Sequence, residues 1–449
     1  MDKNEISRRY FLEKASIGTA SVMAVGALPA FGFYSKKTDK LAILGGQPVR
    51  TKGWSEWPIW NKDAEEDILS VLRSGIWCRL GGTKVTEFEK KYAELMGARR
   101  CVATASGTTA LLVALHVLGI DAGDEVLVSP YTFIASYNVV FLSKALPVFV
   151  DTDQETFSMD PAKIEERITE RTKAILPVHI LGLPCDMDKI NAIAKKHNLK
   201  VIEDACQAWL AEYQGKKCGT LGDLGCFSFQ NSKNLPAGEG GAVIGNDDEI
   251  MDRCFSHHNC GRPYGSVKAT SNYPVLGSNR RMQEFQAVIL MSQMNRLKKD
   301  ADTRLENAQY LTSKIKDIPG IIPYKLCEGA TRSAYHLYPF RYKKEYFNNV
   351  PREKFLDALR AEGIPCSGGY GPQNKDGLIE AALNSKGYKR LFSKDRLKKY
   401  REENHLPNND QLCREAVWFT QNMLLGTKSD MDDIADAIVK VYENRDKLI

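Results

Sequence analysis

The sequence predicts an α/β fold in which a mostly parallel sheet, covered by helices on both faces, is followed by a smaller α/β domain. Three observations point there. Its 449 residues, 43% of them hydrophobic, are enough for two packed domains and carry no sign of disorder or fibre. From about residue 60, short β-rich runs alternate with helical patterns, the order that builds a parallel sheet with helices on each side. Near residue 290 that alternation gives way to one long charged helix, which reads as a connector to a second domain.

Taken in chain order, "NKDAEEDILSVLRSG" reads as a helix with Asn61 as its cap, acidic residues in its first turn, Ile68, Val71 and Leu72 on one face, and Gly75 as its stop. "RCVATASGTTALLVALHVLG" runs from a short strand through a turn of small residues into an apolar helix. "DEVLVSP", "LPVFVDTD", "TKAILPVHI", "KVIEDAC", "GCFSF" and "GGAVIGND" are further strands, with "DPAKIEERITE" and "DMDKINAIAKKHN" as helices among them. The connector is "FQAVILMSQMNRLKKDADTRLENAQYLTSKIKD". Beyond it come the strand "AYHLYPFRY", the helix "EKFLDALRAEGIP", a loop-rich stretch and the closing helix "SDMDDIADAIVKVYENRDKL". The expected division is 1–38 as leader, 39–290 as the large, cofactor-binding domain and 291–449 as the small domain.

Composition excludes several classes. The formal charge of +6, from 62 basic against 56 acidic residues, is too small an excess to imply a nucleic-acid partner. The basic run at 386–401 reads as a solvated helix face, with phosphate recognition as the alternative. Eleven cysteines at irregular intervals, without a CxxC pair, support neither a zinc ribbon nor a disulfide framework. No HExxH occurs, and the neighbours His257 and His258 would point in different directions, so no metal site is expected.

The N-terminus differs from everything after it. In "SRRYFLEKASIGTASVMAVGALPAF", the pair Arg8 and Arg9 precedes a weakly apolar run that ends in small residues. This fits a twin-arginine export signal, and so a periplasmic or envelope-associated protein, with an uncleaved anchor as the alternative to cleavage. No later segment is long and apolar enough to span a membrane.

In parallel sheets ligands gather at the carboxyl ends of the strands. Three such ends carry chemistry. "ASGTTA" places Gly107, Thr108 and Thr109 where a strand gives way to a helix, so their backbone N–H groups and hydroxyls could hold an anion; an ordinary turn reads the same. "VIEDACQA" ends a strand in Glu203-Asp204, where a carboxylate needs a cation or donor unless it merely caps the next helix. "FSFQNSKNLPAGEGG" sets Lys233 in a loop just past Ser228, where desolvation would favour the neutral, nucleophilic amine. Neither GxxxxGK[ST] nor a helix-opening GxGxxG is present. One cofactor accounts for all three features: pyridoxal phosphate joined to Lys233 as an imine, with its phosphate on the Gly107 turn and Ser228 and its ring nitrogen against Asp204.

On "SGTTAL", "PYTFIAS", "VDTDQETFSMDP", "PVHILGLPCDMDKI", "EDACQA", "FSFQNSKNLPAGEGGAV" and "GSNRRMQEFQAVI", the chain from about 41 to 449 resembles the DegT/DnrJ/EryC1/StrS aminotransferases. That resemblance implies the aspartate-aminotransferase-like fold type I and action on keto-sugars or keto-cyclitols. It implies that Lys233 carries the cofactor, that Asp204 pairs with the ring nitrogen, and that Gln207 lies near the ring hydroxyl. Ser228 and the backbone at Gly107 and Thr108 would hold the phosphate, and Phe133 would stack on the ring. Asn279 matches a residue that reaches a neighbouring subunit's phosphate, which implies a homodimer with shared active sites.

"GIWCRLGGTKVTEFE" and "GIPCSGGYGPQNK" are similar to the cyclitol aminotransferases and to the 3-amino-5-hydroxybenzoate synthases. From these segments and "AYHLYPFRY", Trp77, Arg79, His336 and Tyr370 are candidate substrate contacts. Some relatives replace the lysine with histidine and become dehydratases; this sequence keeps Lys233. Transamination between an amino-acid donor and a keto-sugar or keto-cyclitol is therefore the expectation. A dehydratase or lyase on the same scaffold is the second reading, and a cofactor-binding protein without turnover is the third.

Overall fold

The structure, a computed structural model, describes residues 40–449. Arg8 and Arg9, on which the expectation of a twin-arginine signal rests, lie outside the described residues. Nine strands belong to the first part of the chain: β1 (Arg100–Thr104), β2 (Glu125–Val128), β3 (Leu146–Phe149), β4 (Thr172–Leu176), β5 (Lys200–Asp204), β6 (Glu212–Tyr213), β7 (Lys216–Lys217), β8 (Leu224–Ser228) and β9 (Gly241–Gly245). Four follow: β10 (Ile321–Pro323), β11 (Ala330–Arg332), β12 (Leu337–Tyr342) and β13 (Ala416–Thr420).

Seven strands make the central sheet, in the order β1-β9-β8-β5-β4-β2-β3. Only β9 runs antiparallel to its neighbours. Most central strands are buried throughout, which is why the sequence reads as short apolar runs between helices. This is the mostly parallel α/β architecture of fold type I. Its chemistry-bearing strand ends lie on one side: parallel pairing sets Asp204 against Cys226, and Ser228 faces Gly241 across the antiparallel pair.

The strand expectations are met, and the helical ones with two differences. "NKDAEEDILSVLRSG" forms a 3₁₀ turn at Lys62–Ala64 before the helix Glu65–Ser74, and Asn61 uses its side-chain amide on Ser292 rather than as a helix cap. On its expected apolar face only Val71 is buried, while Leu72 is 43% exposed. "DPAKIEERITE" forms two 3₁₀ turns, Pro161–Lys163 and Glu165–Arg167, and no α-helix. Ile164 is its one fully buried anchor, and so short a segment recovers too little from burial to offset helix nucleation. The connector is a single helix, Glu284–Ile315.

Burial divides the chain differently from a cut at 290. Leu41 joins the apolar cluster of the small sheet β10-β12-β13, and Arg50 ties the N-terminal segment to Asp430 and Asp433 at 2.7 Å. Conversely, Ile379, Leu383, Tyr388 and Tyr400 belong to the cluster around the central sheet. Within the basic run at 386–401, Arg396 turns inward to the buried Glu125 at 2.6 Å, so that run is more than a solvated face. No described helix is long and apolar enough to cross a membrane.

Candidate active site

The segments leaving the carboxyl ends of β1, β4, β5 and β8 line a cavity of about 470 Å³, of a size that holds a cofactor. Gly107, Thr108, Phe133, Asp204, Gln207, Ser228, Lys233, His336 and Tyr370 all lie on its wall. The fold thus gathers nine sequence-predicted residues from six separate stretches of chain.

One end of the cavity is a helix N-terminus. Ser106 caps the helix Gly107–Val117: its Oγ accepts from Thr109 N at 3.2 Å, and Thr109 Oγ1 accepts from Ser106 N at 2.8 Å. This box leaves the N–H groups of Gly107 and Thr108 without partners among the described residues, free for an anion at the positive end of the helix. Gly107 has to be glycine. A Cβ there would stand 2.7 Å from Ser228 Cβ and 2.9 Å from Cys206 Sγ, so its absence lets three strand ends close on the same point.

At the other side, Asp204 is 4% exposed. Its Oδ2 accepts from Ser136 Oγ at 2.7 Å and its Oδ1 from Cys206 N at 3.1 Å. An ionised carboxylate only accepts, so Ser136 spends its proton on Asp204 and receives one from Thr132 Oγ1, 2.8 Å away. Gln207 is fixed in the same manner. Its Oε1 accepts from Leu181 N at 2.7 Å, which turns Nε2 toward the Tyr370 hydroxyl at 2.9 Å.

Lys233 follows β8 in a tight loop whose backbone is held by Lys233 N donating to Gln230 O and Trp57 Nε1 donating to Lys233 O, at 2.9 and 3.1 Å. Its Nζ has no hydrogen-bond or ion-pair partner among the described residues. Burial pushes the ammonium below the ordinary lysine range, while negative charge at Cys206 and Asp204 would pull it back. An anion cradle, a poised amine and a buried carboxylate with one oriented donor fit the phosphate, the carbonyl carbon and the ring nitrogen of pyridoxal phosphate. Phe133, 55% exposed, supplies an aromatic wall.

The family model of the DegT/DnrJ/EryC1/StrS aminotransferases matches residues 58–439. The chain belongs to that family. Among curated proteins, this aminotransferase is 36% identical over 421 residues to an L-glutamine:2-deoxy-scyllo-inosose aminotransferase of Streptoalloteichus tenebrarius, covering 91% of this chain and 99% of the relative. A putative L-glutamine:3-amino-2,3-dideoxy-scyllo-inosose aminotransferase of the same organism is also 36% identical, with 92% and 100% covered. Among solved structures, a 3-amino-5-hydroxybenzoic acid synthase superposes with a TM-score of 0.77 at 30% identity, covering 88% of this chain and all of that one. An aminotransferase from Psychrobacter cryohalolentis superposes equally well at 31% identity, with 87% and 99% covered.

Three predicted residues of the aminotransferase stand apart from the cavity. Arg79 is 7% exposed and paired through both terminal nitrogens with Glu89, which also accepts from Ala103 N at 2.6 Å. Paired with Glu89, which also ties the helix Lys84–Met96 to β1, Arg79 does not line the cavity that gathers the other predicted residues. Trp77 lies at the surface and donates to Leu72 O. Asn279 is exposed on the loop before the long helix. The adjacent histidines are also structural: both end the helix Asp248–His258, and burial lowers them to about 4 and about 3.

Thr132, Ser136 and Trp57 were not singled out from the sequence. The first two lie in "PYTFIAS", four residues apart across the start of a helix, a spacing that puts two side chains on one face. Trp57 opens the stretch "WPIW", but its hydrogen bond to Lys233 O spans 176 positions of chain. No cluster able to hold a metal ion occurs among the described residues.

Proposed function

We propose that this aminotransferase moves an amino group from L-glutamine or a similar amino acid to a keto-cyclitol, with a keto-sugar as the related acceptor class. The observation that carries the reading is the unpartnered Lys233 amine on the same cavity wall as Asp204 and the Gly107 turn. Relatives that span nearly the whole chain and act on scyllo-inosose ketones support it. Pyridoxal phosphate, when bound, supplies the electron sink for a substrate carbanion.

The chain's own groups do the rest. Gly107 and Thr108 N–H and the Ser228 hydroxyl would hold the phosphate. Asp204, oriented by Ser136, would hold a proton at the ring nitrogen. Phe133, on the cavity wall, would shield the ring from water, and Gln207 with Tyr370 would supply polar contacts to it. Lys233 would hold the cofactor through its amine and would carry a proton to and from the substrate carbon, work worth about 10² to 10⁴ in rate.

Holoenzyme should show the visible band of the lysine-bound cofactor, made permanent by borohydride and absent in Lys233→Ala. Incubation with L-glutamine should convert the cofactor to its amine form. No conversion with any amino donor would remove transamination in favour of the dehydratase reading, which the likeness to the 3-amino-5-hydroxybenzoic acid synthase keeps in view.

The working unit is proposed to be a homodimer with shared sites. Large exposed apolar residues at Leu72, Ile76, Trp77 and Leu276, together with the outward position of Asn279, support it. Light scattering that reports a monomer at working concentration would end that proposal. Export by the twin-arginine route, with the mature protein in the periplasm or on the envelope, is proposed from Arg8 and Arg9; replacing both with lysine should retain the protein in the cytoplasm.

A further inference from the structure

A second cavity, of about 740 Å³, adjoins the first, and Ser232 and His336 belong to the walls of both. His336 is 6% exposed, and its neighbours dictate which nitrogen carries the proton. Asn234 Nδ2 donates to the Ala334 carbonyl at 2.9 Å. A carbonyl only accepts, so the atom of Asn234 that faces the ring is Oδ1. His336 Nδ1, 3.2 Å from that oxygen, is therefore the donor, and Nε2 keeps a bare lone pair with no partner among the described residues. A proton there would add a third cation to a buried region that already holds Lys233 and Arg304. Burial and those two charges keep the ring neutral.

The opposite wall is set by a second fixed amide. Arg304, fully buried, donates through Nε at 2.9 Å and through Nη2 to Gln421 Oε1. The Nε2 group of Gln421 is left without a partner among the described residues, as a donor on the wall of the second cavity. Ser55, Glu56, Asn231, Ser232, Thr420 and Asn422 also line it, and no lysine or arginine does. Neutral amides and hydroxyls with a single carboxylate suit hydroxyl groups and repel phosphate or carboxylate.

We infer that the second cavity holds the keto acceptor as an uncharged polyhydroxylated ring, and that His336 Nε2 accepts a hydrogen bond from one of its hydroxyls beside Lys233. The inference rests on the aminotransferase reading above. His336 is thus a substrate-positioning residue for the second half of the reaction.

The tautomer is read by ¹⁵N-histidine NMR on the full chain without substrate, where His336 should be neutral at pH 7 with its proton on Nδ1. The two half-reactions are then followed separately in His336→Leu and His336→Gln. In the leucine variant, KM for a neutral keto-cyclitol should rise about 10- to 100-fold, a larger change than any in conversion by L-glutamine. Glutamine, which restores an acceptor, should recover most of that loss. Myo-inositol should compete with the keto acceptor, and its monophosphate should not.

A protonated Nε2, equal slowing of both half-reactions, or competition by the phosphorylated cyclitol as strong as by the neutral one would each overturn the inference. Failure of L-glutamine to convert the wild-type holoenzyme is a different result: it strikes the aminotransferase reading itself, while the NMR readout stands apart from it.

Discussion

Glu203 and Asp204 are consecutive carboxylates at the end of β5, and they point to opposite sides of the sheet with opposite fates. Glu203 is fully buried and saturated: it accepts from Gly219, Leu221 and Gly222 N–H groups, each at 2.6 Å, and from His179 Nε2 at 2.9 Å. His179 Nδ1 accepts from Cys185 N at 3.0 Å, so the ring proton faces Glu203. Asp204 receives only one hydroxyl and one backbone N–H, and lies on the wall of a cavity. A saturated carboxylate can do no more than hold its loop in place. One with spare acceptor capacity beside a cavity can bind something. The same residue type at the same strand end is structural on one face and chemical on the other, and the number of donors supplied by the surroundings makes the difference.

Asp204→Asn should give the largest effect that separates the two sides. Transamination should fall about 10²-fold or more, the value of one broken buried charge pairing of about 3 kcal/mol. Stability should stay nearly unchanged, because the amide oxygen keeps the Cys206 N–H while Nδ2 donates to Ser136 Oγ, whose own proton turns to Thr132. Parallel rate and urea-unfolding measurements check this, and a stability loss as large as the rate loss would break the comparison.

Glu203→Gln should do the reverse. It removes acceptor capacity from at least one of three backbone donors and should cost about 2 to 3 kcal/mol of stability. The activity of the protein that remains folded should match wild type, as thermal unfolding and active-site titration with the cofactor's visible band can show. A stable, inactive variant would make Glu203 a participant and not a support.

The smallest effect sharpens the picture of the open side. Burial puts the native pKa of Lys233 below its ordinary 10.5. Between those two values the unfolded chain binds a proton that the folded chain has lost, so stability of the cofactor-free protein rises with pH across that window. Lys233→Met should flatten the rise. An unchanged slope in urea titrations at alkaline pH would assign it to another group.

Much of this was legible in the amino-acid order. Strand and helix alternate along much of the sequence because the central strands are buried on both faces and several of the parallel connections, such as β1 to β2 and β4 to β5, cross a helix over the sheet. Gly107, Asp204, Ser228 and Lys233 could be found one by one, because each terminates or follows a strand and the parallel sheet sends such ends to the same side. Local cues also misled. The 3₁₀ turns at 161–167 carry helix-like periodicity without enough burial, and Arg79 looked available because nothing nearby in sequence announces that Glu89 takes its charge across ten residues.

What the sequence by itself determined was the sheet, its topology class and the residue types waiting at its carboxyl edge, since all of these follow from local periodicity and from what a strand end must be. Only the tertiary structure decided how those groups are partnered. Arg304 meets Gln421 across 117 positions, Asn234 meets Ala334 across 100, and Leu41 joins a core built chiefly by the last third of the chain. Charge, tautomer and donor direction depend on such distant partners, because a buried polar atom takes its state from the atoms within about 3 Å of it and not from its neighbours along the backbone.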